Sequence, residues 1–164
     1  MTRPPFLVPT AELFARPGSR HDLTLRGPLP GVALSTAWLT ADDVIADVVL
    51  EAQGHTVTVS GTATGRWEGE CRRCLETTGG EVQVVLSEVF EPEPVEGETY
   101  ELGRDDVDLT PVLRDAFALA LPLAPLCRDD CRGPDPDEHP VTTEDDAEPA
   151  ADPRWSALDA IHFD

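Results

Sequence analysis

The chain has 164 residues, of which 40% are hydrophobic and only 5% aromatic, and its 32 acidic against 12 basic residues leave a formal charge of −20. That length suits one domain with a modest core, and no apolar run approaches the roughly 20 residues that a membrane-spanning helix needs. A field of that sign repels polyanions, so binding to naked nucleic acid would require a concentrated basic patch.

The first ten residues, MTRPPFLVPT, carry prolines where a signal peptide needs an unbroken apolar stretch, and a cytoplasmic location is expected. A one- to two-turn helix is predicted from Thr10 through the segment PTAELFAR, stopped by Pro17 and Gly18. HDLTLRG, residues 21–27, predicts a short strand, and DVIADVVLEA, residues 43–52, a longer one. Gln53-Gly54 is a plausible hairpin turn into residues 55–70, where the period is two. There Val57, Val59, Gly61, Ala63, Gly65 and Trp67 fall on one face and Thr56, Thr58, Ser60, Thr62, Thr64, Arg66 and Glu68 on the other. This is a long half-buried strand whose small residues imply a bend or close packing. EVQVVLSEVF, residues 81–90, predicts the next strand.

The period becomes helical in DLTPVLRDAFALAL. Thr110 can cap the helix with Pro111 in its first turn, and Val112, Leu113, Ala116, Phe117 and Ala120 form an apolar stripe suited to core packing. Pro122 and Pro125 end it. The expected fold is therefore α+β, an antiparallel sheet of four or more strands packed against a C-terminal helix, with an acidic disordered tail.

All the basic residues are arginine, and lysine and asparagine are both absent, as in a gene from a GC-rich genome. Arginine is then the default cation and does not by itself indicate phosphate recognition. The charge runs from +2 over residues 1–40 to −10 over 41–104 and −12 over 105–164. Residues 135–152 hold eight acids, three prolines and no arginine, too little apolar surface to offset ordering entropy. Three parts are expected: a domain over 1–133, an acidic disordered linker over 134–151, and a short amphipathic segment over 152–164. The last part carries Trp155, Leu158 and Ile161 on one helical face, suited to docking on its own domain or on a partner.

The cysteines fall in two close pairs, Cys71 with Cys74 in ECRRCLE and Cys127 with Cys131 in LCRDDC. Each pair follows a regular element and lies in a tight loop that can aim two thiolates at one point. Tetrahedral zinc (Zn2+) needs four sulfurs about 2.3 Å from the metal and so about 3.8 Å apart. In a reducing cytosol, paired cysteines more often serve metal or redox chemistry than structural disulfides. A structural zinc site of Cys71, Cys74, Cys127 and Cys131 competes with a redox pair and with ordinary free thiols. The redox reading is the weaker, because C-x2-C lowers a thiol pKa at a helix start and this pair follows a strand. His139 is close enough to Cys131 in sequence to substitute as a ligand.

No enzyme constellation is present: TGRWEG and ETTGGE lack the spacing and the lysine of a phosphate loop, and no Ser-His-Asp or Cys-His set suggests itself. No small-molecule substrate is expected. The best basic patch is Arg66, Trp67, Arg72 and Arg73, joined by Arg128 and Arg132 if the cysteine pairs meet. Glu68, Glu70, Glu76, Asp129 and Asp130 interleave with it and leave it neutral.

The order ELFARPGSRHDL, CRRCL, DLTPVLRDAFALALPLAPLC, DDCRG and DPRWSAL resembles the YceD family, the large ribosomal RNA subunit accumulation proteins. The resemblance runs from about Leu13 to Leu158, interrupted in the acidic tract. It implies a non-catalytic role in accumulating large-subunit ribosomal RNA, in a family whose genes often neighbour that of a small basic ribosomal protein. The expected partner is accordingly the pre-ribosomal large subunit, through ribosomal RNA or through a basic ribosomal protein. Many members continue past the second cysteine pair with C-P-x-C-G, where this chain has GPDPDEHP.

Overall fold

The computed structural model describes residues 4–15 and 18–138. Its elements in chain order are β1 (Leu7–Pro9), α1 (Ala11–Phe14), β2 (Arg20–Pro28), β3 (Ala37–Leu39), β4 (Asp43–Gln53), β5 (Thr56–Glu70), β6 (Thr77–Glu91), β7 (Tyr100–Glu101), β8 (Asp106–Asp108) and α2 (Thr110–Ala120). The fold is α+β, as expected. One sheet has the order β2-β4-β5-β6-β7 with β3 also paired to β5, and β1 and β8 form a separate ribbon. All pairings are antiparallel except β6 with β7, so the larger sheet is mixed at one edge.

The alternation read from the sequence survives in the sheet. Val57, Val59 and Ala63 of β5 are buried, as are Val44, Ala46, Val48, Leu50 and Ala52 of β4 and Val84, Leu86 and Phe90 of β6. Period two places these side chains on one face, and α2 covers it with Val112, Leu113 and Phe117. Ala120, expected in the apolar stripe, is exposed at the last turn of the helix. The glycines of β5 make that packing possible. A Cβ on Gly65 would stand 3.0 Å from Leu39 Cδ1 and 3.3 Å from Phe117 Cε1. Gly61 has φ of 151°, and a Cβ there would run into the Asp47 carbonyl of β4.

Two local expectations shift by a residue or two. Gln53 pairs with Thr56, so the hairpin turn is Gly54-His55, with Gly54 at φ 63° supplying the conformation that other residues resist. The cap of α2 is not Thr110. Thr110 is the first helical residue, and its N–H donates to Asp108 Oδ1 at 2.9 Å. An aspartate two residues upstream thus satisfies one of the orphan amides of the first turn. The β1–β8 ribbon holds that entry in place through Leu109 N–H donating to the Phe6 carbonyl at 2.9 Å. The helix predicted at Thr10 is one turn, and Pro17 of its stop signal lies outside the described residues. Also outside them lie His139, most of the acidic tract and the amphipathic segment at 152–164.

Phe117 has no exposed surface and fills the space that Gly65 leaves. Phe117→Ala is expected to lower unfolding stability by about 3–5 kcal/mol, because the transfer and cavity terms add. A urea titration followed by tryptophan fluorescence measures this.

Candidate metal centre

β5 and β6 form one hairpin, paired from Val57↔Phe90 to Glu70↔Thr77, and the first cysteine pair is its tip. Residues 71–76 turn the chain through two short bonds, Leu75 N–H to the Cys71 carbonyl at 2.8 Å and Cys71 N–H to the Glu76 carbonyl at 2.9 Å. Leu75 closes the turn at φ 63°, a left-handed conformation that is unfavourable for a leucine. Its side chain is 71% exposed, so no packing requirement explains the residue. The conformation answers to the turn itself, which brings Cys74 back beside Cys71.

The second pair reaches the tip along the segment that leaves α2. Pro125 is buried, and its carbonyl accepts the Arg72 N–H at 2.9 Å. Thr36 Oγ1 donates to the Leu123 carbonyl at 3.2 Å, and Glu70 N–H to the Thr36 carbonyl at 3.0 Å. Gly69 lets these backbones close, since a Cβ there would lie 2.5 Å from the Thr36 carbonyl oxygen. Arg73 then ties the two loops together: its Nη1 donates to the Asp129 carbonyl at 3.2 Å and the Cys131 carbonyl at 2.7 Å.

The four sulfurs meet. Cys71 Sγ is 3.8 Å from Cys131 Sγ, Cys74 Sγ is 3.7 Å from Cys127 Sγ, and all four lie within 4.8 Å of one another. The two short separations match the edge of a tetrahedron about 2.3 Å from a central zinc, while S–S bonding at about 2.05 Å is excluded by distance. Cys71 and Cys131 are buried, Cys74 is partly buried and Cys127 exposed, so the cluster opens to solvent on one side.

The electrostatics of the cluster are those of thiols competing for one negative charge. Backbone N–H groups of Cys74, Cys127 and Arg73 point at Cys71 and bring its pKa down to about 6. Desolvation, followed by the neighbouring sulfurs of Cys131, Cys71 and Cys74, pushes Cys127 up to about 12. At Cys74 the Glu76 backbone N–H favours the thiolate, but desolvation and the Cys71 sulfur outweigh it and raise the pKa. One thiolate forms readily and makes its neighbours harder to ionise. A cation among the four sulfurs removes that penalty, so the donor set fits a thiophilic metal ion.

The remaining residues singled out from the sequence are more scattered. Arg66 and Trp67 are consecutive in β5 and so point to opposite faces, with Arg66 exposed and Trp67 packed partly against the core. Arg72 and Arg73 are both exposed at the hairpin tip, but Arg73 is engaged by the second loop. Arg128 pairs with Asp130 at 3.3 Å. Sequence reasoning missed Arg73's bonds to the carbonyls of Asp129 and Cys131, and the only signal for them was the adjacency of Arg73 to Cys74. No helix among the described residues is long and apolar enough to cross a membrane.

Three comparisons place the chain. Proteins of Mycobacterium bovis and Mycobacterium tuberculosis, both called uncharacterized, are 36% identical to it over 169 residues, covering 94% of this chain and 80% of theirs. An uncharacterized protein of Mycobacterium leprae is 36% identical over 94 residues, covering 53% of this chain and 43% of its own. No solved structure matches. The family model described as "Large ribosomal RNA subunit accumulation protein YceD" matches residues 59–162, more than half the chain, and includes both cysteine pairs. The chain belongs to the YceD family.

Proposed function

We propose that this protein is a non-catalytic cytoplasmic factor supporting accumulation of large-subunit ribosomal RNA, and that Cys71, Cys74, Cys127 and Cys131 hold a structural zinc ion. The observation that carries the reading is the convergence of four cysteines, with 52 residues lying between Cys74 and Cys127 in sequence, inside a chain of the accumulation family. A closed four-thiolate site leaves no open coordination position, so the metal would cross-link rather than catalyse. Its work would be to hold the β5–β6 tip against the segment that follows α2. The target is a protein-containing one, because a charge of −20 opposes contact with bare RNA. Arg66, Trp67, Arg72 and Arg73 remain the proposed contact residues, with the exposed Arg72 side chain the best probe. Replacing Arg73 would also loosen the cysteine loops.

Protein purified without chelators should contain about one zinc per chain by atomic emission. Cys71→Ser should reduce that to a trace and lower the melting temperature, because metal binding is coupled to closure of the two loops. A coloured, iron-loaded preparation would reject zinc, and four freely titratable thiols with unchanged melting would reject the site.

The pKa order gives a second test. At pH 8 Cys71 is already a thiolate, whereas Cys74 and Cys127 keep their protons. Loading zinc at that pH should therefore release protons from Cys74 and Cys127 and none from Cys71. Calorimetry in buffers of different ionisation enthalpy counts the protons released, which should fall short of four per zinc because Cys71 has none to give.

Deleting the gene should lower large-subunit relative to small-subunit ribosomal RNA, and Arg72→Ala should reproduce part of the defect. An unchanged subunit profile in the deletion strain defeats the assembly reading.

A further inference from the structure

The two edges of the main sheet are treated differently. β2, at one edge, carries Arg20, Asp22 and Arg26, and its arginines pair across to β4 as Arg20–Glu51 at 3.4 Å and Arg26–Asp43 at 3.0 Å. It ends at Pro28. Charges and proline are the usual devices that stop a strand edge from recruiting another strand. β6, at the other edge, pairs with β7 only at Phe90 and Glu91, leaving its outer side over residues 77–88 without a backbone partner among the described residues. Within that length Val82–Ser87, VQVVLS, has no charge, proline or glycine, and Val85 is 78% exposed. This is the composition of a strand that pairs readily.

The open edge faces a groove. Two adjoining depressions of about 550 and 370 Å3 run between β6, β7 and α2 and share Glu88, Tyr100, Asp115 and Leu119. Leu119, 89% exposed, supplies an apolar wall on the α2 side, and Val85, 78% exposed, lies at the same edge on the opposite face of β6. Glu88, Glu98 and Asp115 supply carboxylates, and no arginine lines either depression. The local field is registered by Tyr100, whose hydroxyl donates to Asp115 Oδ2 at 2.9 Å. Burial, that bond, and the charges of Asp115 and Glu88 push its pKa up to about 12.

We propose that the β6 edge and this groove receive an extended, arginine- or lysine-rich polypeptide segment, added to the sheet as a further strand. Backbone bonds along residues 77–88 would supply affinity, β-branched residues on one side of the segment would cover Val85, and the alternating cations on its other side would meet Glu88, Glu98 and Asp115 in the groove. The charges select this occupant over the others. A second copy would bring a further charge of −20 to an edge already lined by Glu88, Glu98 and Asp115, and like charges oppose that approach. The chain's own residues 139–164 carry seven acids and one arginine, the wrong sign for this groove. RNA is repelled by the same carboxylates. The inference deepens the protein-target part of the function proposed above and rests on it for the biological setting.

The test uses the full chain and a synthetic peptide of about ten residues, strand length, alternating arginine with valine. A second peptide carries proline in place of each valine, with equal charge and no capacity to donate backbone bonds from those positions. Calorimetry should show binding of the valine peptide that weakens with salt, with the proline peptide roughly tenfold or more weaker. Amide exchange should slow along residues 77–88 of β6 and not along β2. Val85→Lys, at an exposed position that leaves the core intact, should cost roughly tenfold in affinity, and Asp115→Asn should flatten the salt dependence. Equal affinity for the two peptides, protection at β2, or an unchanged affinity in Val85→Lys overturns the proposal. So does displacement of the valine peptide by a single-stranded RNA oligonucleotide, or self-association through β6 in the absence of peptide. A normal ribosomal RNA ratio in the deletion strain would instead remove the biological setting and leave these binding results standing.

Discussion

Everything in this protein hangs on the register of β5 against its two neighbours. The strand is 15 residues long and is hydrogen-bonded on both sides for much of that length, to β4 from Thr56 to Thr64 and to β6 from Val57 to Glu70. Because side chains alternate with period two, a slip of one residue would move Val57, Val59 and Ala63 to the solvent face and carry Gly65 away from Phe117. The same slip would displace Cys71 from the end of the hairpin. Core and cysteine cluster are thus two readouts of one alignment, and burial of the apolar face enforces the geometry of the sulfurs.

That coupling explains how a site can be assembled from loops. The cysteines lie on neither a helix nor a strand, yet each loop starts from an element whose position is already determined. The first is the closure of a long hairpin, and the second is the exit of α2, anchored by Phe117 and carried to the tip by the buried Pro125. The backbone bonds from Arg72 to Pro125 and from Glu70 to Thr36, with the Thr36 hydroxyl donating to the Leu123 carbonyl, then complete the approach. A charge of −20 is compatible with this order because the acids among the described residues lie mainly on exposed faces, where mutual repulsion is screened within about 8–10 Å.

Much of this was legible in the sequence, for reasons that differ element by element. The alternation from Val57 to Trp67, the strand ending at Phe90 and the helix from Thr110 were readable because each is long enough for its period to repeat. β1, β3, β7 and β8 are two or three residues long, and no period can be read from so few. The cysteine spacing pointed to convergence, but nothing in it specified that Arg73 would bridge the loops or that Leu75 would take a left-handed turn usually left to glycine. The contrast between the two sheet edges was invisible for another reason. VQVVLS reads as an ordinary buried strand until the strand order puts it on the outside.

Arg73 and the cysteine loops have a mechanical consequence. The chain beyond Cys131 leads into the acidic segment, so a pull on that end meets the cysteine loops before it meets α2. It arrives first at Cys131, whose carbonyl is gripped by Arg73 and whose sulfur sits beside Cys71 at the closed end of a paired hairpin. Force is thereby handed to the β5–β6 ladder, where it runs into a row of backbone bonds. The hairpin tip thus shares load that the covalent chain alone would pass to the helix and the apolar core.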